Sequence, residues 1–477
     1  MSQSPNDTTI SSLLDDTPMT ARRYAYWALA SGGTFIDGFS VASLGVALPL
    51  LKREFSIDPS VLGLIGSALV LGSVLGAALG GIAADRLGRK KAFLLDMLIL
   101  SIGSLLCTLA TSPGLVIVGQ FILGIGVGID FPTSASYASE ILPKAVRSRM
   151  TVATIALQSV GMTAAVLVGL AILKLNPAWA DWRPLLAGGG VLAATTLCFR
   201  LTLPESPRWL AQVGRVPEAL NALAQLIGRP VSTALATNTS PVQHTPVAAK
   251  ESGLRHLFSR DFRDRTLLVS LPWLLMDVAT YGVGLFTPVI LGAMHFGASG
   301  HPGTIAAIFA GTEGSGVVDV FLLLGFLAAL VAVPRFGRIK MQIAGFAGMT
   351  MGMVLLVLAA QAADGPEAHI ALVIGGFILF NFAMNIGPNA TTFTLAAQLF
   401  PTSIRASASG FAAASAKVGA TIGTFAVPQL QARFGPVGVL CLMALVSLGG
   451  LVATIVLSDT IRGGDDMAEE SPLPLSA

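Results

Sequence analysis

TLLVSLPWLLMDVATYGVGLFTPVILG, residues 266–292, is long enough to cross a hydrocarbon core of about 30 Å and carries one charge, Asp277, near its middle. Trp273, Asp277 and Tyr281 recur every fourth residue, so they project from one helical face. A carboxylate at mid-bilayer costs about 2.5 kcal/mol or more and is normally turned to a protein interior or a wet cavity. An acid, an indole N–H and a phenol on one stripe offer hydrogen bonds to something polar there. The structural alternative is that the aromatics only pack and Asp277 only joins two helices.

Working outward, the whole chain has the same character. Hydrophobic residues make up 53% and charged residues 12%, about half the charge of a soluble domain. Twelve apolar runs fit: 24–51, 61–84, 92–111, 114–138, 151–173 and 184–203, then 266–292, 316–333, 341–362, 368–393, 409–432 and 436–459. Arg86, Arg89, Lys90, Lys91, Lys144, Arg147, Arg149, Arg335, Arg338, Lys340 and Arg405 fall in one set of loops. Lys52, Arg53, Lys174, Arg183 and Arg433 fall in the other. The bias places the first set and both termini in the cytoplasm. Residues 1–23 read as a cytoplasmic tail without a cleavable leader, and 460–477 as a second tail.

Residues 204–265 divide the chain into six-span halves, 24–203 and 266–459. This segment reads as a cytoplasmic linker with amphipathic helices flanking a Thr/Ser/Pro-rich tract. The halves echo each other. DRLGRK at 85–90 returns as PRFGRI at 334–339, EILPKAVR at 140–147 as QLFPTSIR at 398–405, and FIDGFS at 35–40 as LMDVAT at 275–280. The expected fold is all-α and membrane-embedded, with twelve transmembrane helices in two pseudo-symmetric bundles and a polar site between them at mid-bilayer. That is the architecture of an alternating-access transporter.

Cys107, Cys198 and Cys441 all sit in apolar runs, which argues against disulfides and metal ligation. No nucleotide-type glycine loop and no nucleophile–base pairing is present, so neither a cofactor nor an enzymatic activity is expected. The basic residues read as determinants of topology, which leaves nucleic acid out. The expected partners are a small anionic substrate, protons and the lipid bilayer, with the chain a monomer.

With those residues in view, the chain resembles the major facilitator superfamily over essentially its full length. GGIAADRLGRKKA (80–92) is similar to its loop between spans two and three. PESPRWL (204–210) and the E-x-x-P-x-x-x-R loop at 140–147 resemble the sugar-porter branch. The resemblance implies a cytoplasmic gate built from Asp85, Arg86, Arg89, Glu140, Arg147, Arg338 and Arg405. PWLLMDVATYGVGLF (272–286), NIGPNATTF (385–393), AAASAKVGA (412–420), GIDFPTSASYASE (128–140) and LQSVG (157–161) are similar to plant and fungal phosphate:proton symporters. That likeness implies substrate ligands at Gln158, Trp273, Asp277, Tyr281, Lys417 and an asparagine of NIGPN, Asn389 foremost and Asn385 beside it. It implies proton-handling acids at Asp37 and Asp130.

The chemistry of these residues is consistent with that set. A buried Lys417 needs an anion, either an aspartate or substrate. Asn381, Asn385 and Asn389 lie at four-residue spacing, as amide donors or as interhelical glue, and Gly387-Pro388 is expected to kink their helix. Asp277 would repel an oxyanion unless it accepts a hydrogen bond from a substrate hydroxyl, which favours dihydrogen phosphate over sulfate. None of the five histidines falls in the interior of a span; His369 stands at the very start of 368–393. Asp96 and Asp319 lie nearer span ends and read as interfacial. Three positions depart from the phosphate family: Phe131 replaces a tyrosine, Gln120 a span-four arginine and Gln398 an acid. A small organic acid, then a sugar, are the other substrates kept open, with a non-transporting nutrient receptor as a different class.

Overall fold

A computed structural model describes residues 10–175, 182–231, 257–293, 305–364, 366–400 and 402–462. Before the first span, α1 (Ile10–Asp16) is a short helix. The first half then contains α2 (Ala21–Glu54), α3 (Pro59–Leu87), α4 (Arg89–Thr108), α5 (Pro113–Ile141), α6 (Lys144–Leu175) and α7 (Trp182–Arg200). Two short helices follow, α8 (Pro207–Gln212) and α9 (Val216–Ile227). The second half holds α10 (Arg263–Gly284), α11 (Thr287–Ala293), α12 (Ile305–Phe336), α13 (Arg338–Gln361), α14 (Ile370–Ile386), α15 (Pro388–Leu399) and α16 (Thr402–Arg462).

Among the described residues, ten helices are long and apolar enough to cross a membrane. The last of these doubles back at Gly435 (φ 65°) and supplies spans eleven and twelve; α7 supplies the sixth. Spans seven and ten are broken. α10 stops at Gly284, and α11 begins at Thr287, after Leu285 and Phe286. α14 stops at Gly387, and Pro388 opens α15, as the Gly-Pro pair requires. The repeat shows in the backbone: Gly88 (φ 97°, ψ 160°) and Gly337 (φ 85°, ψ 152°) make the same left-handed turn between paired spans of each half.

Two expectations are corrected. Span eight begins at Ile305, not 316, because the glycine-rich GTEGSG stretch is helical. Asp319 therefore sits mid-helix and is 7% exposed, not interfacial. Asp96 is likewise fully buried.

At the end away from the basic loops the halves meet closely. A Cβ on Gly45 would lie 2.8 Å from the Leu285 carbonyl oxygen, and one on Gly63 2.6 Å from that of Phe425. Leu285 and Phe286, at the break of span seven, press on Gly66, and Val166 presses on Gly316. Gly81 and Gly410, near the basic end of spans two and eleven, face open space. Among the described residues, the close contacts between the halves lie at the end away from the basic loops.

Beneath the first half, Ile10 and Leu14 of α1 bury against α8 and α9. Asp15 ties Arg147 and Arg208 together. Arg23 is buried as well, donating to the Thr17 carbonyl at 2.8 Å.

Candidate functional site

The polar residues expected at mid-bilayer converge from both halves. Gly38 and Gly161 bring α2 and α6 into backbone contact: a Cβ at either would stand 1.9 Å from a carbonyl oxygen of the other helix. That approach sets Asp37 beside Gln158, whose Nε2 donates to Asp37 Oδ2 at 2.9 Å. Across the interior, Lys417 Nζ of α16 donates to the Tyr281 hydroxyl of α10 at 3.1 Å, with the ammonium 5.0 Å from the ring centroid. The charges of Asp277 and Asp37 both act on Lys417. Asp277 is 4% exposed and makes no hydrogen bond or ion pair among the described residues. Spans one, five, seven and eleven thus contribute a cation, two acids, a phenol and an amide to one polar interior.

The asparagines are placed differently. Asn385 donates to the Leu322 carbonyl of α12 at 3.2 Å and accepts from Asn389 Nδ2 at 2.6 Å, while Asn381 caps back onto Phe377. Each amide of the Asn385–Asn389 pair spends one N–H in holding the break of span ten, and the Asn389 carbonyl oxygen and a second N–H remain. Trp273 is half-buried between the central core and the cluster around Phe400.

Asp130 is no isolated acid. Arg200, at the end of α7 and fully buried, donates to Asp130 at 2.8 Å, to Asp96 at 3.0 Å and to the carbonyls of Ala30 and Leu29. Its guanidinium lies 4.2 Å from the Phe93 centroid. Ser134 adds a 2.9 Å bond to Asp130. The sequence reading passed over Arg200. The available signal was that two buried aspartates require a cation, and Arg200 sits within a span's length of both. Gln120 does not replace the missing span-four arginine; Asp37 has Gln158 instead.

At the basic face, Arg89 binds Glu140 at 2.8 Å and Asp85 at 3.3 Å. Glu205 of PESPRWL accepts from the Arg89 and Lys90 backbone N–H groups at 2.9 and 3.2 Å, capping α4. Trp209 donates to the Asp85 carbonyl at 3.0 Å. Burial pushes the Glu205 carboxyl above its ordinary range, against the pull of those N–H donors. Arg86 is exposed, Arg147 turns to Asp15 rather than Glu140, and Arg338 opens α13 half-buried. The Arg405 side chain and linker residues 232–256 lie outside the described residues.

Two six-span bundles around one polar interior define a secondary transporter of the major facilitator fold. The profile of the sugar (and other) transporter family matches residues 26–462, and the chain belongs to that family. It is 30% identical to the Escherichia coli metabolite transport protein YaaU, covering 93% of each chain. It is 28% identical to the repressible high-affinity phosphate permease of Neurospora crassa, covering 91% of this chain and 84% of that one. The E. coli xylose transporter XylE, in a partially occluded inward-open structure, superposes with a TM-score of 0.71 at 20% identity, covering 92% of this chain and all of that one.

Proposed function

We propose that the chain is a proton-coupled symporter of a small anion, inorganic phosphate, working by alternating access in a bacterial-type inner membrane with both termini cytoplasmic. The observation that carries this reading is Lys417, half-buried in the interior with its ammonium on the Tyr281 hydroxyl and under the influence of the Asp277 and Asp37 charges. A desolvated ammonium with donors beside it suits an oxyanion and has no use for a neutral sugar. Asp277, without a partner of its own, accepts the proton-bearing hydroxyl of dihydrogen phosphate. Sulfate would leave it facing a bare oxygen. Gln158, Trp273 and the Asn389 oxygen complete the ligand set, and Asp37 and Asp130 handle the proton. The basic-face groups Asp85, Arg89, Glu140 and Arg147 form the gate on that side, with Arg86, Arg338 and Arg405 around it.

A small organic acid is the second reading. It is favoured by Phe131, which leaves an apolar ring where the phosphate symporters carry a hydroxyl.

The test is thermal stabilisation of the purified protein by phosphate, arsenate, sulfate and small carboxylates at two pH values, followed by counterflow in proteoliposomes. Phosphate and arsenate are expected to stabilise, sulfate hardly at all, and Asp277→Asn or Lys417→Ala to abolish the response. Stabilisation by carboxylates alone replaces phosphate with an organic acid. Binding without counterflow indicates a receptor.

A further inference from the structure

Span eight carries an acid that the central site does not use. Asp319 lies in the middle of α12, 7% exposed, and forms no hydrogen bond or ion pair among the described residues. Gly316, one turn earlier, touches Val166 of α6, so this stretch of α12 lies on the seam between the halves. Leu322, three residues on, is held by Asn385 of α14. Asp319 therefore projects between a helix of the opposite half and one of its own, in line with the buried hydroxyls of Thr312 and Ser315.

No cation faces it. The helices packed on α12 are α2, α6, α11, α13, α14 and α15. Among their described residues, α11, α14 and α15 carry no ionisable group. α13 has only Arg338 and Lys340 at its basic end. α6 has Lys144, Arg147 and Arg149 at that end and Lys174 at the other. α2 has Asp37 in mid-span, with Arg22, Arg23, Tyr24, Tyr26, Lys52, Arg53 and Glu54 near its ends. On α12 itself Glu313 is exposed and Arg335 is near the basic end. No charged group acts on Asp319.

We infer that Asp319 is a proton-binding site of the seam, separate from the central site: it carries a proton while the halves are shut over it and releases it to water when they part. An unpaired carboxylate in a dry contact is too costly to keep, whereas the neutral acid fits. A proton that binds the shut form better must, by linkage, favour the shut form as pH falls. Elsewhere between the halves, at the α3–α16 contact, the Gln429 amide is a second polar group without a partner among the described residues, and its Nε2 would stand 3.2 Å from a Cβ on Gly63. Opening rehydrates both.

The test uses the full chain in nanodiscs without substrate, so its outcome is independent of the phosphate reading. Cys198 and Cys441 are replaced by serine, and Gln429→Cys serves as an accessibility probe of the seam. Its rate of maleimide labelling, corrected for thiolate fraction, is expected to rise about tenfold from about pH 5 to about pH 9. Asp319→Asn should hold it low and flat, while Glu313→Gln, at an exposed acid of the same helix, keeps the rise. If Asp319→Asn fails to fold, Asp319→Glu should retain the response. Dicyclohexylcarbodiimide, which adds the acid O–H across its C=N bond, should modify Asp319 in the unaltered chain and do so less at high pH. An unchanged pH response in Asp319→Asn, loss of the response in Glu313→Gln, absence of the adduct, or a seam that follows sodium instead of pH would each overturn the proposal.

Discussion

Arg200 shows how a single side chain decides the character of its surroundings. One guanidinium bridges two carboxyl groups, so the triad with Asp96 and Asp130 retains an acid in excess. Arg200→Ala leaves both acids buried and uncompensated and is expected to cost about 3–5 kcal/mol. Asp96→Asn should cost far less, because Asp130 still answers the cation. Melting temperatures of the purified variants decide this, and equal losses for the two would refute it. Proton-driven uptake that survives intact in both Asp37→Asn and Asp130→Asn would remove those acids from coupling. Much of the central site was legible in advance because four-residue spacing fixes a helical face, as for Trp273, Asp277 and Tyr281. The pairing of Lys417 with Tyr281 was not, because spacing within one helix says nothing about which face a distant helix turns toward it. Nor was the consumption of the asparagine amides by each other and by Leu322, which depends on where the helix breaks.

At the scale of elements, the turn between α3 and α4 is built jointly by two motifs distant in sequence. Gly88 has a positive φ, and a Cβ there would stand 2.3 Å from Glu205. Gly88→Ala is therefore strained twice over and should displace Glu205 from the start of α4, at a cost of about 1–2 kcal/mol or more. Glu205→Ala loses the same cap, while Glu205→Gln keeps an acceptor oxygen. Because burial holds the Glu205 carboxyl above its ordinary range, its contribution is fully present below the unfolded value and fades as pH rises through the folded one. Glu205→Gln should thus gain on the unaltered protein as pH rises, and a melting series across pH reads the difference. Hydropathy located every span, yet it misjudged span eight, where glycines that usually mark a loop lie inside a helix, and it read span seven as continuous. Glycine composition alone cannot separate a turn from a site of close helix packing.

For the molecule as a whole, closure at the end away from the basic loops depends on bare backbone: Gly45, Gly63 and Gly66 receive Leu285, Phe286 and Phe425 without room for a side chain. Gly63→Leu is expected to hold that end apart, abolishing counterflow while ligand still binds. Spin-label distances between spans two and eleven would lengthen there by several ångströms, and unchanged distances with normal counterflow would refute the account. The other end is organised by a segment outside both bundles. Asp15 joins the loop arginine Arg147 to Arg208 of the first linker helices, and Leu14 is fully enclosed behind it. A truncation begun at residue 19 would strip two arginines of their shared counter-ion and uncover the helices that Leu14 packs on, so variants shortened there should be produced in lower yield than the full chain.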